Sequence, residues 1–251
     1  MSAQAQAVLY EVVGGVATIR LNRPEARNAL NSAMCAGLLA AARAATADPA
    51  VQLVLVRAAG PVFCAGADLK ERQGMDEDQV RARRIRAFAA YEALESLPMP
   101  AIAVVEGAAV GSGCEIAAAC DFIVATPQAS FRTPEALWGT VGATQRLPRI
   151  LGKRLAKDML YTGRKLTAEE AERHGLVARI VAADGLEAEI TAMARTITEA
   201  PGAGLRYAKA CVDRGLELDP RGALATEILA IEDNLATQNW RAGISGFGGK
   251  S

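Results

Sequence analysis

Three short apolar runs, each separated from the next by room for a helix, constrain this chain more than any other feature. VQLVLVRA (Val51–Ala58) is almost continuously apolar, and so are AIAVVEG from Ala101 and the core of DFIVATP from Asp121. A strand with one wet face alternates apolar and polar residues, whereas a strand covered on both faces reads as an unbroken apolar run. Helical stretches lie around them. Ser32–Ala47 is rich in Ala and Leu and stops before Pro49, and Asp76–Ser96 is charged, with several arginines. SGCEIAAAC follows the second run as a further helix, and ASFRTP follows the third as a short strand. Strand and helix alternate to about Val181, which predicts an α/β chain with parallel pairings.

VLYEVVGGVATIRL reads as two strands joined at Gly14-Gly15. From Leu186 onward the pattern is helical, through EAEITAMARTITEA, GAGLRYAKACVDRG and ALATEILAIEDNLATQ, and GISGFGGKS at the end reads as a loose tail. The predicted organisation is an α/β core over residues 1–190 and a helical segment over 191–251. The 251 residues suffice for one large domain with such an appendage.

Charge and rare residues exclude several functions. The 28 basic and 28 acidic side chains cancel, which argues against a general nucleic-acid or anionic-membrane surface. Five cysteines without a CxxC pair suit reduced, buried thiols rather than disulfides or a zinc site. The single histidine, His174, reads as the last turn of a helix before Gly175. One histidine leaves neither a His-rich metal site nor an HExxH protease within reach, and no metal is expected. MSAQAQAVLYEVV carries neither a signal nor a transit pattern, so the expected location is cytoplasmic.

GAAVGSG does not fit a dinucleotide-binding GxGxxG, and no GxxxxGK[ST] is present. Two glycine-containing loops remain, FCAGADLK after the first apolar run and Gly111-Ser112-Gly113 after the second. At the carboxyl ends of neighbouring strands, two such loops can aim two backbone N–H groups at one carbonyl oxygen. Two acids accompany them. Glu115 lies one turn into an apolar helix, where an ionised carboxylate is costly unless paired. Glu135 follows Pro134 beside Phe131, Leu137 and Trp138; it is either a first-turn acid suiting a helix dipole or half of a carboxylate pair around one water. Arg81, Arg83, Arg84 and Arg86 read as a solvated face, Asp121 as a cap on the turn after the helix, and Trp138 as pocket wall or core.

The segments LNRPEARNAL, FCAGADLKE, GSGCEIAAACD, FRTPEALWGTVGATQRLPRILGK and LYTGRKLTAEEAERHGLVARIV closely resemble the enoyl-CoA hydratase/isomerase (crotonase) family. The resemblance runs in order from Val8 to Val181 and more weakly to EILAIEDNLAT. It implies a spiral of repeated ββα units with a C-terminal helical trimerisation segment, in a homotrimer or dimer of trimers. It implies oxyanion donors at the amides of Ala67 and Ser112, and catalytic acids at Glu115 and Glu135. CoA contacts are implied around Ala65, Asp68 and Leu69, with Arg23 (and Arg27) as candidates for the phosphates. The reaction implied is hydration of a 2-enoyl-CoA, with CoA entering as part of the substrate and no cofactor. Double-bond isomerisation through a thioester enolate and weak acyl-CoA binding are the alternatives. Two departures from the family pattern stand out: Ser112 replaces a usual glycine, and the loop Gly139–Arg149 is shorter by a few residues.

Overall fold

The computed structural model describes residues 6–200, 202–237 and 240–245. Strand β1 (Val8–Val13) pairs antiparallel with β2 (Val16–Leu21), turning at Gly14 and Gly15, whose φ values of +56° and +80° favour glycine. Helix α1 (Ser32–Ala47) starts where the Asn31 side chain accepts from the Met34 N–H at 2.9 Å. It leads to β3 (Leu53–Ala58), which runs parallel to β2. The loop after β3, read from the sequence as irregular, holds a short helix α2 (Leu69–Gln73), because the Asp68 carboxylate accepts from the Lys70 and Glu71 N–H groups. Helix α3 (Glu77–Glu95) follows, with Asp76 and Gln79 in a reciprocal capping box.

The next elements are β4 (Ala101–Val105), β5 (Ala108–Val110), α4 (Ser112–Ala118), β6 (Phe122–Ala125) and β7 (Ser130–Arg132). Then come α5 (Arg146–Leu151), α6 (Lys153–Thr162), β8 (Lys165–Thr167), α7 (Ala168–Arg173) and β9 (Arg179–Ile180). From β4 to β7 consecutive strands enter different sheets. β4 and β6 join a six-stranded sheet of order β1-β2-β3-β4-β6-β9, while β5 and β7 join β8 in a three-stranded one. The units β4-β5-α4 and β6-β7-α5 each lay one strand in each sheet, as in the ββα spiral expected from the resemblance, whereas β1, β2 and β3 all lie in the six-stranded sheet.

The apolar runs behave as their composition demands. Val54, Val56, Ala101, Ala103 and Val105 face the main core, which α1 and α3 close. Leu53, Leu55, Ile102 and Val104 point the other way, onto Leu186, Ile190 and Met193 of α8 (Leu186–Thr198). These three sit at i, i+4 and i+7, one stripe of a helix. Helix α8 thus runs through residue 190 while covering the far face of the sheet.

Helices α9 (Gly202–Gly215), α10 (Pro220–Thr237) and α11 (Trp240–Ser245) complete the described chain. Arg206 of α9 donates to the Val51 carbonyl at 3.0 Å, and Lys209 forms an ion pair with Asp121. Asp121 does not cap its own turn. It stands where β6 enters beside the start of β4, so one oxygen accepts from the Ala101 N–H at 2.7 Å and the other meets Lys209. Of the stretch expected as a loose tail, Gly243–Ser245 form the end of α11, and residues 246–251 lie outside the described residues. Residues 1–5 also lie outside them. Among the described residues no helix is long and apolar enough to cross a membrane.

Candidate active site

The loop after β3 is held like a strand. The Cys64 N–H donates to the Ala108 carbonyl at 3.1 Å and the Val110 N–H to the Cys64 carbonyl at 2.8 Å, so Cys64 pairs in parallel with Ala109. Beyond that pairing the two chains reach Ala67 and Ser112 side by side. Leu30 takes both the Gly66 carbonyl and the Asp68 N–H, at 2.8 and 2.9 Å. The Ala67 N–H between them has no partner among the described residues, and neither does the Ser112 N–H, first in α4. Both residues border one cavity of about 460 Å³. Gly113 makes the approach possible, since a Cβ there would stand 2.5 Å from the Cys64 carbonyl oxygen.

Glu115 is 6% exposed, on the fourth residue of α4. Its Oε2 accepts from Arg146 Nη1 at 3.0 Å, while its Oε1 is buried with no hydrogen-bond partner. Arg146 opens α5 at the end of the shortened loop, where it also pairs with Glu95 and lies 5.8 Å above the Tyr91 ring. Burial raises the Glu115 carboxyl above its ordinary range, and Arg146 opposes the rise without cancelling it.

Glu135 heads the turn Glu135–Trp138, after Pro134. It reaches the same cavity because the Gly111 N–H donates to the Arg132 carbonyl at 2.8 Å, joining the ends of β5 and β7. Gly111 has φ +51°, and a Cβ there would lie 2.3 Å from Glu135 Oε1. The positive φ favours glycine, and a Cβ here would push the Glu135 carboxylate from its place. Glu135 Oε2 is buried and unpartnered. Burial raises this carboxyl; the charge of Glu115 raises it further, against its own backbone amide and Arg84. Two carboxylates, each with one orphaned oxygen, thus share a cavity with two free amides.

The remaining residues divide by role. The Ser112 side chain meets the Tyr91 hydroxyl, whose pKa burial raises and Ser112 lowers. Ala65 and Leu69 line the cavity. Arg23 is internal bracing: Nη1 donates to Asp68 at 3.0 Å and to the Ala29 carbonyl at 2.5 Å. Burial pushes the Asp68 carboxyl up, but the Glu71 amide and Arg23 hold it below its ordinary value. Arg27 is exposed and supplies its carbonyl to the Ala65 N–H at 3.0 Å. The arginine run is not one solvated face, because successive helical residues turn by about 100°. Arg81 and Arg86 are exposed, Arg83 is buried, and Arg84 is half-buried at the cavity. Trp138 is cavity wall, and His174 is the exposed C-cap of α7.

Two supporting residues escaped the sequence reading. Asn28 is fully buried at φ +53° and donates to the Ala59 and Val62 carbonyls, both at 2.8 Å. Arg146 was visible only as a basic residue in a short loop; the one available signal was an uncompensated carboxylate in an apolar helix, which requires a cation from somewhere.

The profile of the enoyl-CoA hydratase/isomerase family matches residues 11–251. A probable enoyl-CoA hydratase of Rhizobium meliloti is 39% identical over 245 residues, covering 96% of this chain and 95% of that protein. The mouse mitochondrial enoyl-CoA hydratase domain-containing protein 2 is 37% identical over 241 residues, covering 93% of this chain and 81% of that one. Among solved structures, enoyl-CoA hydratase from Bacillus anthracis superposes with a TM-score of 0.93 at 34% identity, over 97% of this chain and 96% of the other.

Proposed function

The chain belongs to the enoyl-CoA hydratase/isomerase family, and from that premise we propose that it adds water to a 2-enoyl-CoA thioester to give the 3-hydroxyacyl-CoA. The observation that carries this reading is the pair of orphaned carboxylate oxygens, Glu115 Oε1 and Glu135 Oε2, in the cavity that also holds the free amides. The N–H groups of Ala67 and Ser112 donate to the thioester carbonyl oxygen and stabilise the enolate that forms as the β-carbon is attacked. One such donor is typically worth roughly 3–4 kcal/mol of barrier. Water sits between the two carboxylates. Glu115, whose charge Arg146 sustains, takes the proton as the water adds. Glu135, which no side chain holds ionised by a hydrogen bond, delivers a proton to the α-carbon. A raised pKa suits both tasks near neutral pH. The reaction so written requires neither metal nor redox cofactor.

The assay follows loss of the conjugated-thioester absorbance with crotonyl-CoA and with longer and branched enoyl-CoAs, and identifies the product. Formation of 3-hydroxyacyl-CoA is expected; inertness across the panel contradicts the reading. Arg146's grip on one Glu115 oxygen favours a second reading, in which Glu135 alone moves protons in double-bond isomerisation. Conversion of a 3-enoyl-CoA without hydration would select it, and tight ester binding without turnover would select a binding protein.

Assembly as a homotrimer or dimer of trimers is part of the proposal, supported by exposed apolar residues such as Val212, Leu216, Leu224 and Ile228 on α9 and α10. Sedimentation tests it. A cytoplasmic location is proposed with it, to be checked by cell fractionation.

A further inference from the structure

Three arginines border the cavity, and they are not equivalent. Arg83 is fully engaged, donating to Glu71 at 2.8 Å and to the Leu30 carbonyl. Arg84 has one partner among the described residues, the Val141 carbonyl, and the Arg72 guanidinium has none. Both are half-buried. Arg72 and Arg84 line the same cavity, and burial, with the charges of Arg84 and Arg83, pulls Arg72 below the ordinary arginine range. Two cations drawn partly out of water without a carboxylate form a wall that is unfavourable until an anion arrives.

Their placement indicates which anion. Arg84 belongs to the α3 stripe Val80, Arg84, Phe88, Tyr91, whose spacing turns all four toward the cavity. Its charge is felt by Glu135, and its bond to Val141 holds it against the loop that follows that residue. Arg84 therefore faces the end of the cavity where Glu135 stands, and Arg72, Phe88 and Trp138 line the same cavity.

We propose that Arg72 and Arg84 form an anion subsite for a carboxylate at the far end of the acyl chain, so that the preferred substrate is the CoA thioester of an unsaturated dicarboxylic acid. This rests on the reading of the cavity as a thioester site. Guanidinium forks match carboxylate geometry, and charge-assisted hydrogen bonds are the strong class.

The test is the affinity of two unreactive saturated esters by calorimetry, glutaryl-CoA and pentanoyl-CoA, which differ in the terminal carboxylate. Glutaryl-CoA is expected to bind at least about tenfold more tightly. In the double variant Arg72→Gln/Arg84→Gln the ratio of the two dissociation constants falls to within about twofold of one, by the same reasoning. Equal binding of both esters by the native protein overturns the subsite. So does a variant that weakens both esters by the same factor, which marks the arginines as CoA-phosphate contacts. No binding of either ester overturns the thioester reading and the subsite with it.

Discussion

On one wall of the cavity Glu115 stands on helix α4 with Arg146 at 3.0 Å; on the other, Glu135 stands in a short turn between Gly111 and Gly142, with no cation hydrogen-bonded to it among the described residues. Both acids are buried enough to be raised, yet the walls treat the ionised form differently. The first supplies a guanidinium that also holds Glu95 and stacks on Tyr91, so the base is oriented and its charge is partly answered. The second supplies space, through two glycines whose missing side chains leave room for the carboxylate. In the proposed hydration, a cation on one side and open space on the other are what separate a proton acceptor from a proton donor, although the two residues are chemically identical.

The largest effect expected to break this comparison is removal of either acid. Glu115→Gln and Glu135→Gln each lower kcat by about 10²–10⁴, the range for a lost general base or acid, in the crotonyl-CoA assay. Loss of activity in only one of the two would remove the symmetry of need that the shared water demands. Next comes Gly113→Ala. Its Cβ would meet the Cys64 carbonyl at 2.5 Å, forcing apart the loops that carry the Ala67 and Ser112 amides. The expected result is loss of roughly 1–3 kcal/mol of stability by denaturant titration, with a fall in kcat larger than that in ester affinity. Ser112→Gly keeps the amide and removes only the contact with Tyr91, so kcat changes by less than about fivefold, far below the loss of a donor.

The smallest effect is on stability and carries a sign. The Glu135 carboxyl is raised in the folded protein, so its ionised form opposes folding; the penalty is absent below the unfolded value and grows as pH rises through the folded one. Glu135→Gln therefore raises Tm by roughly 2 °C at about pH 8 and by almost nothing near pH 4, in scanning calorimetry. The same change in Glu115 lacks this benefit, because it leaves the Arg146 guanidinium partly buried beside a neutral amide. That contrast sharpens the comparison without touching activity.

Much of the fold was legible because it depends on local pattern. The apolar runs declared strands covered on both faces, and the N-cap at Asn31 and the capping box at Asp76 mark helix starts that composition alone places within a residue. The two acids and two amides were legible through motif order. What stayed hidden depends on which distant groups meet. Nothing near Glu115 in sequence points to Arg146, 31 residues away. Asp121 offered a turn to cap, yet the neighbouring strand and Lys209 of α9 claimed its oxygens. Arginines 81 to 86 read as one charged run because spacing alone does not reveal that α3 is packed on two sides.

The pH dependence of kcat/KM for crotonyl-CoA, in the native protein and in Arg146→Gln, tests the unequal walls most directly. Glu115 must be ionised, so activity falls at low pH through its pKa; removing a cation raises that pKa and moves the acid limb to higher pH, leaving the alkaline limb set by Glu135 little changed. Arg146→Lys is expected to restore part of the shift. An acid limb that stays in place, or moves to lower pH, in Arg146→Gln would contradict the account.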